Sequence, residues 1–589
     1  MRTPVVAEAR PTHTLAGDLL DRARRHGARH AVEFTIGDGR WSTVTYAELA
    51  GRAAALARVL PAAGTGDRPR FVLIMLPNGL DYVVSVYACL LAGVVAVPFY
   101  PPSVLTARTA RVFSQRLQEI HRDCAPDVVV LAEDQAGFVA DALAPAYRDG
   151  SGPVLITAGE LPAAVDPAGV AVRAGGADLA VLQYTSGSTR TPSGVMLSHD
   201  NLVANVRALA AKTSAAEGEA AVSWLPLFHD LGLIGMLFGA VHAGMTLHLT
   251  TPAAFARRPV LWLEMIDRAR ACLTMAPNFA FDLAARASGR SDRRLDLSSL
   301  RLAVNGAEPV RHSTVAAFTS ALRDWGLRPS AVVPGYGLAE ATLSVTVGDY
   351  RRPPRLLRVC ADRLRRDGVA VPPGDDDAVT VLVGCGTDVV DTESVIVDPD
   401  RLTPCPPGTV GEVWVTGPGV AGGYWGQPER SAATFRPGPA DDRRRFVRTG
   451  DLGVKIDSTL YLVGRVKDMI IQRGVNHCPQ DVEYAAECAH PALRPGGTVV
   501  FGTEPDGSGP VVVLCELERY LGGPAYPAIL ASVRAALAEE FGLDIATVGL
   551  VRKGQVPKTT SGKVRRRASA QRWREDGFTV LARSPAAVG

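Results

Sequence analysis

Along most of the chain, short uninterrupted apolar runs alternate with segments whose apolar positions recur every three or four residues. The segment TYAELAGRAAALARVL, starting at Thr45, predicts an amphipathic helix, and RFVLIML after it predicts a buried strand. A helix ending near Leu91, the strand VVAVPF, and the short runs VVVLAED and PVLIT continue the alternation. Strands apolar on both faces need cover on both, which points to parallel sheets layered with helices and so to an α/β fold. The uncharged run Tyr82 to Tyr100 is long enough to raise a membrane question, but Gly93 and Pro98 interrupt it. It is read as a helix followed by a buried strand, with no membrane insertion.

Where the pattern breaks, candidate chemistry collects. Leu179, Val181 and Leu182 predict a strand, and SHDNLVANVRALAAK a helix capped by Ser198 with Leu202, Val206 and Leu209 on one face. Between them the stretch YTSGSTRTPSGV, Tyr184 to Val195, is dense in Gly, Ser and Thr. Small residues let backbone N–H groups approach an anion, and the hydroxyls of Thr185, Ser186, Ser188 and Thr189 add donors. With Gly187, Arg190 and Gly194 it reads as a phosphate cradle, although it lacks the Gly-Lys pair of a Walker loop. NGAEP, which contains Gly306, Ala307 and Glu308, and YGLAEAT, which contains Tyr336, Gly337, Ala339 and Glu340, fall where strand ends meet loops, the usual ligand position in open α/β sheets. Tyr336 offers a flat face to a purine and Glu340 a hard oxygen to Mg²⁺. In RTGDLG, Asp451 can accept both hydroxyls of a ribose, and in GRVKD Arg465 can reach ribose or phosphate. Lys563, in VPKTTSGKVRRR, carries an ammonium on a flexible arm. GPGVAG, Gly417 to Gly422, formally matches GxGxxG, yet Pro418 and the lack of a following helix make it a strand and a tight turn.

These stretches together resemble the adenylate-forming superfamily of acyl-CoA synthetases, nonribosomal-peptide adenylation domains and luciferases, over about Thr45 to Arg567. Arg190 after GST, with SWLPLFHDLGL, NGAEP and YGLAEAT, is similar to its fatty acyl-AMP ligase branch. The resemblance implies a large N-terminal domain, 1–464, of helix-covered sheets with a smaller β subdomain, and a small mobile α+β C-terminal domain, 465–589, hinged at Lys467. It implies ATP-dependent activation of a fatty or related carboxylic acid to acyl-AMP, with Mg²⁺. The loop 185–194 would hold the β- and γ-phosphates, Glu340 the Mg²⁺, Asp451 and Arg465 the ribose, and Tyr336 the adenine. Lys563 would bridge the carboxylate and the α-phosphate, and His229 would border the carboxylate end of the acyl pocket. Residues 349–378 match the place of an insertion typical of that branch.

The acyl group would pass to the phosphopantetheine of a separate carrier protein, since no DSL-type serine follows the lysine motif. An insertion restraining the small domain would disfavour free CoA, and the basic run Val564 to Arg574 would face an acidic carrier. Two departures stand out. Ser193 occupies the place where the resembled loop usually carries lysine, leaving Arg190 or Lys563 to supply the charge and predicting that a lysine at 193 tightens ATP binding. Cys478 stands where related ligases usually have an aromatic residue.

Composition narrows the alternatives. At 589 residues the chain holds about four folding units, and a net charge of +3 speaks against nucleic-acid or general membrane binding. The nine cysteines show no CxxC spacing and the N-terminus no apolar leader, which favours a cytoplasmic protein with reduced thiols. The rival readings are an acyl-CoA ligase using free CoA and a catalytically weak nucleotide-binding interaction protein.

Overall fold

The computed structural model describes residues 13–61, 68–102, 107–144, 152–185, 192–290, 293–440, 442–472, 475–504, 509–543, 545–559 and 562–584. Two mostly parallel sheets form the bulk of the molecule. In the first, the order is Val154–Thr157, Val128–Leu131, Phe71–Met75, Val95–Pro98, Leu179–Tyr184 and Gly194–Ser198, parallel except for the last pair. The second has nine strands and runs from Thr387–Asp388 through Ser344–Val347, Val332–Gly337, Leu302–Gly306 and Leu273–Pro277 to Ala220–Ser223, Thr246–Leu249, His30–Phe34 and Ser42–Thr45. Helices Tyr46–Val59 and Leu80–Ala92 pack against each other beside one large core shared by both sheets, as the apolar periodicity predicts. Thr45 and Glu48 close the first of these helices with a reciprocal capping box.

The stretch after the Gly/Ser/Thr loop departs from expectation. A strand, Gly194–Ser198, returns antiparallel to Leu179–Tyr184 before the helix His199–Thr213 begins at its Ser198 cap. The loop is thus the tip of a hairpin rather than the entry to a helix. The short run GVMLS has no polar alternation that would separate it from loop, and its pairing partner rather than its composition makes it a strand.

A third, antiparallel sheet built from Glu393–Val397, Gly411–Thr416, Phe435–Pro437, Arg445–Ile456 and Thr459–Arg465 forms the smaller β unit. Residues 349–378, whose LLRVCADRL stretch carries apolar positions able to anchor on a surface, form regular structure: Leu356–Cys360 pairs with Val379–Val383, and the helix Ala361–Asp367 follows the first of these strands. Val359, Leu364 and Ala370 anchor the segment on Val454 and Tyr461.

Beyond Arg465 a separate core begins with Ile470 and Val482 and is built on the sheet Leu493–Gly502, Val511–Leu517, Ile545–Val551, Val580–Arg583. Val466 is tied back to the large unit through Gly450 O at 2.9 Å, and Asp468 is tied forward to Arg566 at 3.1 Å. Lys467 lies exposed between these anchors. The basic run Val564 to Arg574 is not a free tail: it contains the helix Arg566–Arg574, and Arg566 is spent on Glu483 and Asp468. All nine cysteines are unpaired, and among the described residues no helix is long and apolar enough to cross a membrane.

Candidate active site

The hairpin loop is closed at its base by the Thr185 N–H, which donates to Ser193 O at 3.3 Å. Ser186, Gly187, Ser188, Thr189 and Arg190 lie outside the described residues. The outer edge of Gly194–Ser198 is itself paired: Met196 N donates to Gly423 O at 2.9 Å and Trp425 N to Gly194 O at 2.8 Å. The loop base is therefore held between its own hairpin and the segment Gly422–Trp425.

The YGLAEAT stretch turns sharply out of strand Val332–Gly337. A Cβ at Gly337 would lie 1.7 Å from Leu343 O, so only glycine allows the chain to double back here. Glu340 follows on a single 3₁₀ turn, Ala339–Ala341, and Thr342 is held in the strained positive-φ region at φ 68°. Asn205, reaching from the helix after the hairpin, holds this turn from both sides. Its Nδ2 donates to Ala341 O and Ser344 O at 3.2 and 3.0 Å, and its Oδ1 accepts from Ser344 N at 3.0 Å. Glu340 Oε1 accepts the Tyr424 hydroxyl at 2.8 Å, and burial raises the carboxyl above its usual range.

Asp451 and Arg465 sit opposite each other on adjacent strands, and Arg465 Nε donates to Asp451 Oδ1 at 2.5 Å. The other oxygen, Oδ2, accepts the Tyr336 hydroxyl at 2.8 Å. Tyr336 is only 8% exposed, so its ring is clamped by the core before any ligand arrives. Each Asp451 oxygen keeps a further acceptor site, which two ribose hydroxyls require.

In NGAEP, Gly306 closes to within Cβ-contact distance of Gly335 O (2.9 Å) and Ala307 adopts φ 63°. Glu308, half-buried and with its carboxyl pKa raised by desolvation, accepts the Phe279 N–H at 2.6 Å at the start of helix Asn278–Ser288. Its immediate contact is thus a helix terminus.

Lys563 arrives from the small unit. Its loop is closed by Thr559 N to Lys563 O at 2.8 Å and by Lys563 N to Thr559 Oγ1 at 3.0 Å. The neighbouring Gly562 would bring a Cβ to 3.9 Å from the Phe279 ring. The ammonium keeps a solvent-facing side yet is crowded by protein, as in a cleft. That burial lowers its pKa, while Asp230, Glu308 and Asp451 oppose the shift and Arg465 adds to it. Asp230 starts the buried π-helical segment Leu231–Phe238 by accepting Leu231 N at 2.7 Å, and a π-helical segment of this kind is frequent at functional sites. His229, half-buried, precedes it with its ring 4.8 Å from that of Phe228.

Tyr336, Asp451 and Arg465 are thus joined by hydrogen bonds, the Lys563 loop approaches Phe279 beside Glu308, and the charges of Asp451, Arg465, Glu308 and Asp230 act on Lys563, while Glu340 lies in the field of the same Arg465 and Asp230. Sequence reasoning missed Asp230, Asn205 and Tyr424 as site residues. For Asn205 a signal existed: it falls on the same helical face as Leu202, Val206 and Leu209, where a polar residue needs buried partners.

Residues 19–425 match the AMP-binding enzyme family, and residues 467–582 match the Disco-interacting protein 2-like AMP domain. The medium-chain-fatty-acid–[acyl-carrier-protein] ligase JamA of Moorena producens is 35% identical, over 95% of this chain and 95% of its own length. The long-chain-fatty-acid–AMP ligase FadD32 of Mycobacterium marinum is 36% identical over 93% of this chain and 92% of its own. A solved structure from work on fatty acyl-adenylate ligases of E. coli and L. pneumophila superposes with a TM-score of 0.84, at 28% identity, covering 96% of this chain and all of that one.

Proposed function

This chain belongs to the AMP-binding enzyme family, and from that premise we propose that it activates a fatty or related carboxylic acid with ATP and passes the acyl group to a separate carrier protein. The observation that carries the reading is the delivery of Lys563 by the small unit: a Cβ at the neighbouring Gly562 would lie 3.9 Å from the Phe279 ring, Phe279 N–H is bonded to Glu308, and the ammonium lies in the field of Asp230, Glu308 and Asp451 of the large unit and of the boundary residue Arg465. In the reaction a carboxylate oxygen attacks the α-phosphorus of ATP, the bond to the β-phosphate oxygen breaks, and acyl-AMP and pyrophosphate result. No side chain is needed as a nucleophile. Catalysis is orientation and charge neutralisation at the α-phosphate, the work of preorganised cations in phosphoryl-type transfer.

In this reading Lys563 bridges the substrate carboxylate and α-phosphate, and His229 borders the carboxylate end of the acyl pocket. Asp451 and Arg465 hold the ribose, Tyr336 lies against adenine, and Gly306, Ala307, Glu308, Gly337 and Ala339 shape the nucleotide wall. Thr185 to Gly194 take the outer phosphates. Glu340, with one carboxylate oxygen on Tyr424, has lone pairs left for Mg²⁺, which when bound neutralises phosphate charge. Lys467, between two anchored neighbours, serves as the hinge about which the small domain, 465–589, turns to admit the thiol. Two relatives support the carboxylic-acid and acceptor assignments: one is named for fatty acids and an acyl carrier protein, the other for a fatty acid and AMP. Unpaired thiols suit a cytoplasmic location.

The test measures pyrophosphate release with ATP, Mg²⁺ and a panel of fatty and hydroxylated acids, then follows labelled acyl groups onto holo carrier proteins or CoA. Acid-dependent pyrophosphate release and transfer to a carrier are expected. No release with any acid would overturn the activation step, and efficient acyl-CoA formation would overturn the carrier assignment.

A further inference from the structure

Among the described residues, Arg430 carries a charge with no counter-ion. It lies on the helix Pro428–Thr434, just after the Gly422–Trp425 segment that pairs with the loop base. Its Nη1 donates to the Ser193 hydroxyl and, at 3.3 Å, to Gln427 Oε1, while its guanidinium carbon sits 4.3 Å from the Tyr424 ring centroid. Gln427 Nε2 donates to Pro192 O at 2.8 Å, so the loop base and the arginine share one support. Among the described residues no carboxylate pairs with Arg430, and its Nε and Nη2 donate to no described group.

A half-buried guanidinium whose described neighbours are a neutral hydroxyl, a neutral amide and a tyrosine ring is under-compensated, and its unused donors form a planar fork suited to an oxyanion. The position of that fork is held by its surroundings. Ser193 is 3% exposed, and the Tyr424 ring that stacks on Arg430 sends its hydroxyl to Glu340 at 2.8 Å. One tyrosine therefore separates the arginine from the carboxylate assigned to Mg²⁺. Cation, neutral hydroxyl and carboxylate are linked in series through Ser193, Arg430, Tyr424 and Glu340, an arrangement that fits a polyanion already partly neutralised by a metal ion.

We propose that Arg430 binds the terminal phosphates of ATP and, after reaction, pyrophosphate. This rests on the acyl-adenylate reading for the identity of the nucleotide, not for the existence of the anion site. It also changes the expectation for position 193. With Arg430 bonded to Ser193, a lysine placed there in the otherwise native protein sets two cations against each other, and ATP binding weakens instead of tightening.

The experiment uses the full-length protein without acid, so that binding is measured apart from chemistry. Mg·ATP, pyrophosphate and AMP are titrated by calorimetry into the native protein, Arg430→Gln, Arg430→Lys and the double variant Arg430→Gln with Ser193→Lys. Glutamine keeps a donor for Ser193 and removes the charge. Arg430→Gln is expected to weaken Mg·ATP and pyrophosphate by about 10- to 100-fold and to leave AMP, which lacks those phosphates, within about twofold. Arg430→Lys keeps part of the affinity, and the double variant recovers it by returning a cation from the other side. Equal loss for AMP and ATP would show that Arg430 only supports Tyr424 and would overturn the proposal, as would unchanged ATP and pyrophosphate affinities. Native protein that binds Mg·ATP yet activates no acid would remove the acid-activation reading while leaving the Arg430 result to stand or fall by itself.

Discussion

Lys563 is the residue on which the chemistry depends most, and its surroundings predict how it responds to mutation and to pH. Removing one cation aimed at developing charge costs about 10²-fold or more in rate, so Lys563→Ala is expected to suppress acyl-AMP formation while leaving AMP binding near native. Near-normal adenylation by the purified variant would sink the role. Burial lowers the Lys563 pKa, so its ammonium is present below that lowered value and is lost as pH rises through it. Adenylation should therefore decline on the alkaline side earlier than an ordinary lysine would cause. In Lys563→Arg, which stays charged, that decline should move to higher pH even if the maximum rate falls. An unchanged alkaline limb in Lys563→Arg would assign it to another group.

At the scale of elements, the helix His199–Thr213 ties the hairpin to the YGLAEAT turn through Asn205. Asn205→Leu removes the side-chain partner of the buried Ser344 N–H and one donor each from Ser344 O and Ala341 O, the latter keeping Leu343 N, which costs about 2 to 3 kcal/mol and is measured as a lower denaturation midpoint. Because the turn carries Glu340, the Mg²⁺ requirement for activity should rise in the same variant. A stable variant with native Mg²⁺ dependence would show that the turn holds its own shape. The ordered segment 349–378 acts between domains: its helix Ala361–Asp367 packs against strand Val475–His477, and Arg365 donates to Glu540 O at 3.1 Å with its guanidinium 4.7 Å from the Phe541 ring. Contacts of this kind are worth about 1 to 2 kcal/mol, so the segment is expected to restrain the small unit. Arg365→Ala should raise hydrogen exchange at the end of helix Tyr526–Phe541 and shift acceptor use toward free CoA. Unaltered exchange and acceptor preference would leave the segment without a restraining role.

Over the whole molecule, the two cores meet at a small polar clip. The Arg311 guanidinium carbon lies 4.0 Å from the Tyr484 ring centroid, its Nη2 donates to Gln480 O at 3.4 Å, and Ser313 Oγ and Tyr484 hydroxyl are 3.0 Å apart. This clip, with the Arg365 contact, fixes the arrangement in which Lys563 enters the cleft. Tyr484→Ala should therefore slow acyl-AMP formation several-fold more than it slows transfer from preformed acyl-AMP to a carrier thiol, because only the first step needs Lys563 in place. Equal slowing of both half-reactions would indicate a general folding defect.

What the sequence by itself determined is local in origin. Apolar runs with two buried faces select parallel strands, helical periodicity selects their covering layers, and turn-forming stretches with one Tyr, Glu, Asp or Lys mark the loops where ligands meet strand ends. Tyr336, Glu340, Asp451, Arg465 and Lys563 became candidates because those stretches also match the motifs of the resembled family; by itself each would read as an ordinary turn or a solvated charge. Tertiary structure decided what depends on partners distant in the chain. Strand Gly194–Ser198 exists because both of its edges find hydrogen bonds, and segment 349–378 is ordered because Val359 and Leu364 find Val454 and Tyr461. Arg430 meets Ser193 across 237 residues of sequence, and no local pattern announces such a pairing. An arginine in the first turn of a short helix reads as a solvated charge until packing brings a buried hydroxyl beneath it and, among the described residues, no carboxylate to pair with it.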